Sequence, residues 1–122
     1  MSKTIMSVED SASVRQVLKI TLKNAGYEIL EAVDGQDALD KLADGVKINL
    51  FICDVNMPNM DGITFLKRLK EKQDYKFTPV IMLTTESEEG KKIEGMEAGA
   101  KAWLVKPFQP DQLLTAVSKL IR

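Results

Sequence analysis

The chain alternates short apolar runs with longer segments whose apolar residues recur every three or four positions, and this alternation limits the possible folds more than any other feature. Short apolar runs are typical of buried strands, and the longer spacing is typical of amphipathic helices. Strands are predicted over five ranges: 4–8, 28–33, 49–53, 79–83 and 102–105. A helix is predicted after each strand: between Ser11 and Gly26, over 36–44, from Asp61, over 87–98 and from Pro110.

Strands that alternate with helices form parallel sheets, because parallel strands need crossover connections. The ranges 49–53 and 79–83 are apolar almost throughout, as expected for central strands that are buried on both faces. We therefore predict an α/β fold in which a five-stranded parallel sheet carries five helices on its two faces.

The fourth helix carries two glycines, Gly90 and Gly95, and a glycine inside a helix costs about 0.5–1 kcal/mol relative to alanine. One hypothesis is that this helix is soft, so that Gly95→Ala would raise stability. Its periodicity predicts that Ile93, Met96 and Ala100 face the core.

Composition excludes several classes of function. The 122 residues fit a single domain over 1–122, and 17 basic against 18 acidic residues give a net charge of -1, which offers no footprint for nucleic acid or anionic lipid. One cysteine, Cys53, cannot form an internal disulfide. The N-terminus does not resemble a signal peptide, and no apolar run approaches the roughly 18–20 residues of a membrane span. A cytoplasmic protein with no output domain is expected.

The chain contains no histidine. This absence excludes His-dependent zinc sites, Ser-His-Asp and Cys-His nucleophile pairs, and a phosphohistidine carried by this chain. A metal site would have to use oxygen ligands, which favours magnesium, calcium or manganese.

Polar residues stand at the carboxyl ends of four predicted strands: Glu9 and Asp10, Asp54, Thr84, and Lys106. Each of these residues also has an ordinary structural interpretation: as a helix cap, as a turn residue or as a lysine that reaches water. In an open sheet of order 2-1-3-4-5, however, all four ends would surround one crevice, where such sheets bind ligands. Carboxylates gathered there are costly unless a shared partner offsets their charge, and a divalent cation is the natural candidate.

Four segments carry a resemblance to a known family: VED (8–10), CDVNMPNMDG (53–62), MLTTES (82–87) and EAGAKAWLVKPF (97–108). Together they resemble the receiver domain of two-component response regulators, in particular single-domain chemotaxis proteins of the CheY type. CheY itself has the strand order 2-1-3-4-5, so the resemblance carries this order. The fold it implies is flavodoxin-like.

The resemblance implies a mechanism. Asp54 would accept a phosphoryl group from the phosphohistidine of a histidine kinase, so that the protein is not a conventional enzyme but catalyses its own phosphorylation and dephosphorylation. Glu9, Asp10, Asp54 and the carbonyl of Asn56 would hold Mg²⁺, and Lys106 would balance a phosphoryl oxygen.

The resemblance also assigns a switch. Thr84 would turn toward the phosphoryl group, and the aromatic Trp103 would fill the space that it leaves. Asn56 and Glu86 would tune the rate of hydrolysis and give a short-lived phosphoryl state, and the bond before Pro107 would be cis. The implied partners are the kinase and a downstream protein, such as a flagellar motor switch protein or a phosphatase. The protein itself would be a monomer.

Two other functions are compatible with parts of this pattern. A phosphorelay shuttle would have the same fold but pass its phosphoryl group to a histidine phosphotransferase. A haloacid-dehalogenase-type phosphohydrolase also phosphorylates an aspartate with magnesium. That chemistry needs a second aspartate two residues on as its general acid and base, and Asn56 stands there. An amide cannot shuttle the proton.

Overall fold

The computed structural model describes residues 2–84 and 89–121, with the side chains of residues 89 and 90 excepted. Five strands alternate with five α-helices. The strands are β1 (Thr4–Val8), β2 (Glu28–Ala32), β3 (Leu50–Asp54), β4 (Val80–Thr84) and β5 (Ala102–Val105). The helices are α1 (Ala12–Asn24), α2 (Gly35–Lys41), α3 (Gly62–Lys70), α4 (Glu89–Glu97) and α5 (Pro110–Leu120).

All strand pairs are parallel, and the sheet has the order β2-β1-β3-β4-β5. The predicted α/β fold and strand order are therefore confirmed. β3 and β4 each lie one residue further along the chain than predicted, and a 3₁₀ turn, Gln73–Tyr75, lies between α3 and β4.

Helix caps fix how the chain leaves three of the strands. The side chains of Ser11, Asp34 and Asp61 accept hydrogen bonds from backbone N–H groups in the first turns of α1, α2 and α3. Such a cap satisfies one of the N–H groups that a helix start leaves without an intrahelical partner. The three helices therefore start close to the carboxyl ends of β1, β2 and β3.

The core consists of two apolar layers, one on each face of the sheet. The layer under α2, α3 and α4 is built around the fully buried Phe51 and Phe65, whose rings meet edge to face at 6.1 Å. The layer under α1 and α5 contains Leu18, Leu22 and Leu113. Because both faces of the sheet are covered, β3 and β4 are fully buried, and their sequences are continuously apolar.

The prediction for the buried face of α4 was wrong for two residues. Ile93 is 59% exposed and Met96 is 43% exposed, whereas Ala100 is buried. α4 instead approaches the sheet with small residues: Gly95 is buried and Ala98 packs against the core. A helix that packs through small residues comes closer to the sheet, and its large apolar side chains then point outward.

Gly95 has a packing reason that the hypothesis of a soft helix missed. A Cβ atom at this position would lie 2.6 Å from Cζ3 of Trp103, well inside van der Waals contact. The absence of a side chain therefore makes room for the indole ring, and Gly95→Ala is no longer expected to stabilise the protein. No helix within the described ranges is long and apolar enough to cross a membrane.

Candidate functional site

Three carboxylates meet at the carboxyl edge of the sheet. Glu9 and Asp10 follow β1, and Asp54 is the last residue of β3, the strand that pairs with β1. One oxygen from each carboxylate lies within 4.8 Å of the others. Glu9 is fully buried and Asp54 is 3% exposed, while Asp10 is exposed. The convergence that the strand order predicts is therefore present.

Lys106 is the first residue after β5, and its side chain extends into the same crevice. Its Nζ lies 2.7 Å from Oε1 of Glu9 and 3.3 Å from Oδ1 of Asp54. Its backbone N–H donates to the carbonyl of Thr84, which fixes the chain where it leaves the sheet. The bond between Lys106 and Pro107 is cis.

The electrostatics of the crevice are unbalanced. Burial, together with the charge of Glu9, raises the pKa of Asp54 from 3.8 to about 7, although Lys106 opposes the shift. Burial disfavours the charge of Lys106, but the hydrogen bond and the charge of Glu9 outweigh it and raise the pKa of the lysine. The ammonium group is thus charged at neutral pH, and it faces more negative charge than it can neutralise.

The unbalanced charge and the donor set fit a hard divalent cation. Oδ1 of Asp54 is buried and accepts no well-aligned hydrogen bond within the described part of the chain, so that its contact with Lys106 is an ion pair only. Glu9, Asp10 and Asp54 offer oxygen atoms alone, which Mg²⁺ and Ca²⁺ prefer. These three side chains are the residues that could hold the ion.

The loop after Asp54 is held tightly against the end of β3. A Cβ atom on Gly62 would lie 2.1 Å from the backbone oxygen of Asp54, so only glycine allows this approach. Asn59 has a positive φ of 69°, and its side-chain amide donates to the carboxylate of Asp34 at 2.9 Å. Asp34, which also caps α2, therefore connects this loop to the start of that helix.

Thr84 and Trp103 lie on neighbouring strands between the crevice and α4. Thr84 ends β4 and is fully buried, next to the strand that carries Asp54. Trp103 pairs with Met82 across β4 and β5, and its half-buried ring packs against the core and Gly95. Trp103 therefore lies on the strand next to the one that Thr84 ends.

Cys53 precedes Asp54 but is not a candidate for chemistry. The side chain is fully buried, and its thiol donates to the backbone oxygen of Asp54 at 3.3 Å. Burial, followed by the charges of Asp54 and Glu9, raises the pKa of this thiol well above its usual value. A protonated, buried thiol is unreactive, so Cys53 acts as a core residue.

The prediction that Asn56 and Glu86 act together cannot be followed in space, because Glu86 lies outside the described residues. Asn56 is exposed at the rim, and its Oδ1 accepts a hydrogen bond from Nζ of Lys91 at 3.1 Å. Sequence reasoning missed Lys91, because nothing in the pattern of α4 connects it to a residue 35 positions away.

The model of the response regulator receiver domain matches residues 5–118. The chain belongs to this family. Receiver domains are signalling modules of two-component systems rather than conventional enzymes; they interact with histidine kinases and bind Mg²⁺ in an acidic site such as the one above. Family membership also removes the haloacid-dehalogenase alternative.

Solved structures and curated proteins agree with this assignment. The chemotaxis protein CheY4 of Vibrio cholerae is 44% identical, with a TM-score of 0.93 and coverage of 98% of this chain and 99% of that one. The receiver domain of the Pseudomonas aeruginosa sensor histidine kinase PA1611 is 23% identical with a TM-score of 0.89 over 98% of each chain, which supports the fold alone.

Among curated proteins, the phosphate regulon transcriptional regulatory protein PhoB of Pseudomonas aeruginosa is 38% identical over 100% of this receiver domain and 53% of its own length. The chain spans about half the length of the curated relatives it matches.

Proposed function

We propose that Asp54 accepts a phosphoryl group from the phosphohistidine of a histidine kinase, and that this modification changes the binding of a downstream protein. The observation that carries the proposal is the position of Asp54. It lies at the end of a central strand, 3% exposed, beside two further carboxylates and 3.3 Å from the ammonium group of Lys106.

The phosphoryl transfer requires little covalent chemistry from the protein. The bond between phosphorus and the histidine nitrogen breaks, the electron pair stays on that nitrogen, and a bond forms between phosphorus and an Asp54 oxygen. Such a transfer depends on positioning and charge neutralisation. Lys106 is placed to neutralise part of the charge of the bound phosphoryl group, and its contacts with Glu9 hold it in place.

Magnesium would supply the remaining positive charge when it is bound. Glu9, Asp10 and Asp54 are the side chains that would hold it, with the Asn56 carbonyl as the further ligand that the resemblance implies. The PA1611 receiver domain, which shares the fold, has a magnesium ion coordinated in its active-site cleft. A cation there would also oppose the protonation of Asp54 that burial favours, and thus keep the nucleophile ionised.

A cleft next to Lys106 is the proposed docking site for the kinase. Its volume is about 560 Å³, and its walls come from α1 and from the segment after β5: Ser13, Val14, Val17, Lys106, Pro107 and Phe108. Because Lys106 contacts both the cleft and Asp54, an apolar helix face bound in this cleft would bring its phosphohistidine to the rim of the site.

The conformational change would be transmitted to the surface by Thr84 and Trp103. A phosphoryl group adds about -1.5 to -2 charges and strong acceptor oxygens. The Thr84 hydroxyl would turn toward one of these oxygens, and Trp103 would shift in response against α4, where it already packs on Gly95. The exposed apolar side chains of Ile93, Met96 and Val105 would then present a changed surface to a partner.

A role in chemotaxis is the favoured context, because the identity to the chemotaxis protein CheY4 extends over nearly the whole of both chains. A phosphorelay shuttle is the second candidate. Phosphoryl transfer to a purified histidine phosphotransferase, compared with phosphorylation-dependent binding to a flagellar motor protein, separates the two.

The direct test is the intact mass of the protein after treatment with acetyl phosphate, with and without Mg²⁺. We expect one added phosphate in wild type with Mg²⁺, strongly reduced modification after chelation, and none in Asp54→Asn. Asp40→Asn is the matched control, because Asp40 is exposed on α2 away from the crevice. A phosphate that remains in Asp54→Asn would refute the assignment of Asp54.

A further inference from the structure

Helix α4 reaches the rim of the phosphorylation site through one side chain. Nζ of Lys91, in the first turns of α4, donates to Oδ1 of Asn56 at 3.1 Å. Asn56 lies two residues after Asp54. Burial and the charge of Glu9 raise the pKa of Asp54, and the nearby backbone N–H of Asn56 opposes this shift. A single loop residue thus connects the ammonium group of Lys91 with the residue that carries the phosphoryl group.

An ion pair connects α4 to α3 close to Lys91. Nζ of Lys67 on α3 lies 3.0 Å from Oε2 of Glu94, one turn further along α4. Both side chains of this pair are about half exposed, so the pair contributes little to stability. It does, however, help to keep the start of α4 beside the loop that follows Asp54.

The contact with Lys91 determines which chemistry Asn56 offers to water. A carboxamide has one oxygen that accepts hydrogen bonds and one NH₂ group that only donates them. Lys91 binds the oxygen and thereby fixes the orientation of the amide. Water that attacks a phosphoryl group has to be oriented and relieved of a proton, and an acceptor oxygen helps with both. An oxygen that is directed to Lys91 is less available for this purpose.

We propose that Lys91 is a positioning residue that slows hydrolysis of the phosphoryl group by holding Oδ1 of Asn56 away from the attacking water. In hydrolysis the water oxygen bonds to phosphorus while the bond from phosphorus to the Asp54 oxygen breaks. The electron pair stays on the Asp54 carboxylate, and both hydrogens of the water leave with the phosphate as dihydrogen phosphate. The proposal rests on the proposed phosphorylation of Asp54.

The test is the half-life of the phosphoryl group after the phosphodonor is removed, measured by intact mass for wild type, Lys91→Ala, Lys91→Arg and Asn56→Ala. Each variant is first shown to gain one phosphate. Lys91→Ala should shorten the half-life about three- to tenfold, the range that corresponds to the loss of one ordinary hydrogen bond at an exposed position. Lys91→Arg keeps a donor and should stay near wild type.

Two controls separate this role from a general effect of α4. Lys92→Ala removes the neighbouring exposed charge and should leave the half-life unchanged. In an Asn56→Ala background, Lys91→Ala should have no further effect, because the side chain through which it acts is gone.

The outcomes distinguish the two proposals. Failure of all variants and of wild type to gain phosphate would refute the proposed function. Phosphorylation with an unchanged half-life in Lys91→Ala, or a change that persists in the Asn56→Ala background, would refute the role of Lys91 alone.

Discussion

Nζ of Lys106 lies 2.7 Å from Oε1 of Glu9, although 97 positions separate the two residues in the chain. The carboxylate is fully buried and the lysine side chain is 12% exposed, so water screens this ion pair poorly. The same ammonium group contacts Asp54 at 3.3 Å. Lys106 therefore partly neutralises two buried carboxylates at once, and its removal should affect both.

Lys106→Met should raise the pKa of Asp54 further, because a positive charge beside the carboxylate is lost. We expect phosphorylation by acetyl phosphate to slow and its dependence on pH to move to higher pH. The rate of mass gain across pH 6–9 measures this shift. Lys119→Met, at an exposed position on α5, is the control. A pH profile identical to that of wild type would contradict the contact between Lys106 and Asp54.

Lys106→Met should also uncouple phosphorylation from the switch. Trp103 is the sole tryptophan, so its fluorescence reports on the proposed switch without a label. In wild type the emission should change when Asp54 is phosphorylated. Lys106→Met should be phosphorylated more slowly and should show little change in emission. An equal change in emission per phosphate would show that Lys106 is not needed for the coupling.

Asp54→Asn should make the protein more stable at pH 8. The pKa of Asp54 is raised from 3.8 to about 7, so the folded state binds this proton more tightly than the unfolded state does. Stability from this group is fully present below about pH 4 and is lost as the pH rises through about 7. Asparagine cannot ionise, so the variant should gain at least about 1 kcal/mol over wild type between pH 4 and pH 8.

Urea unfolding at both pH values, without divalent cations, measures the difference between Asp54→Asn and wild type. Asp40→Asn is again the control, since Asp40 is exposed. A difference in stability between Asp54→Asn and wild type that is the same at pH 4 and pH 8 would contradict the raised pKa.

Gly95→Ala should destabilise the protein by roughly 1–3 kcal/mol, although helix propensity alone favours alanine. The reason is the added Cβ, which would lie 2.6 Å from Cζ3 of Trp103. Phenylalanine has no atom equivalent to Cζ3, so in a Trp103→Phe background the cost should become small or change sign. Chemical unfolding of the four proteins gives this coupling energy; a value near zero would argue against the close contact.

Val17→Glu should weaken phosphoryl transfer from the kinase without slowing phosphorylation by acetyl phosphate. Val17 lines the cleft beside Lys106 and is 48% exposed, so a charge there disturbs the cleft but not the core. Ile20 on the same helix is 50% exposed but does not line the cleft, so Ile20→Glu is the matched control. Equal losses in the two variants would count against docking at the cleft.

The elements and the order in which they occur could be predicted from the amino-acid pattern alone. Periodicity located all five strands to within one residue. The signal is strongest for β3 and β4, because strands that are buried on both faces are continuously apolar. The starts of α1 after Ser11 and of α3 at Asp61 were likewise predicted, because a side chain that caps a helix acts locally. The acidic and basic residues of the site stood out because they interrupt buried strands at their carboxyl ends.

Which side chains are in contact could not be predicted in this way and follows from the three-dimensional packing. The buried face of α4 was predicted wrongly, because Ile93 and Met96 have the spacing of core residues while the contact is made through Gly95, which has no side chain to reveal it. The contact between Lys91 and Asn56 was equally invisible. Local patterns follow from the period of each helix and strand, but contacts between distant segments depend on how closely the elements pack, and that is fixed by the shapes of both partners together.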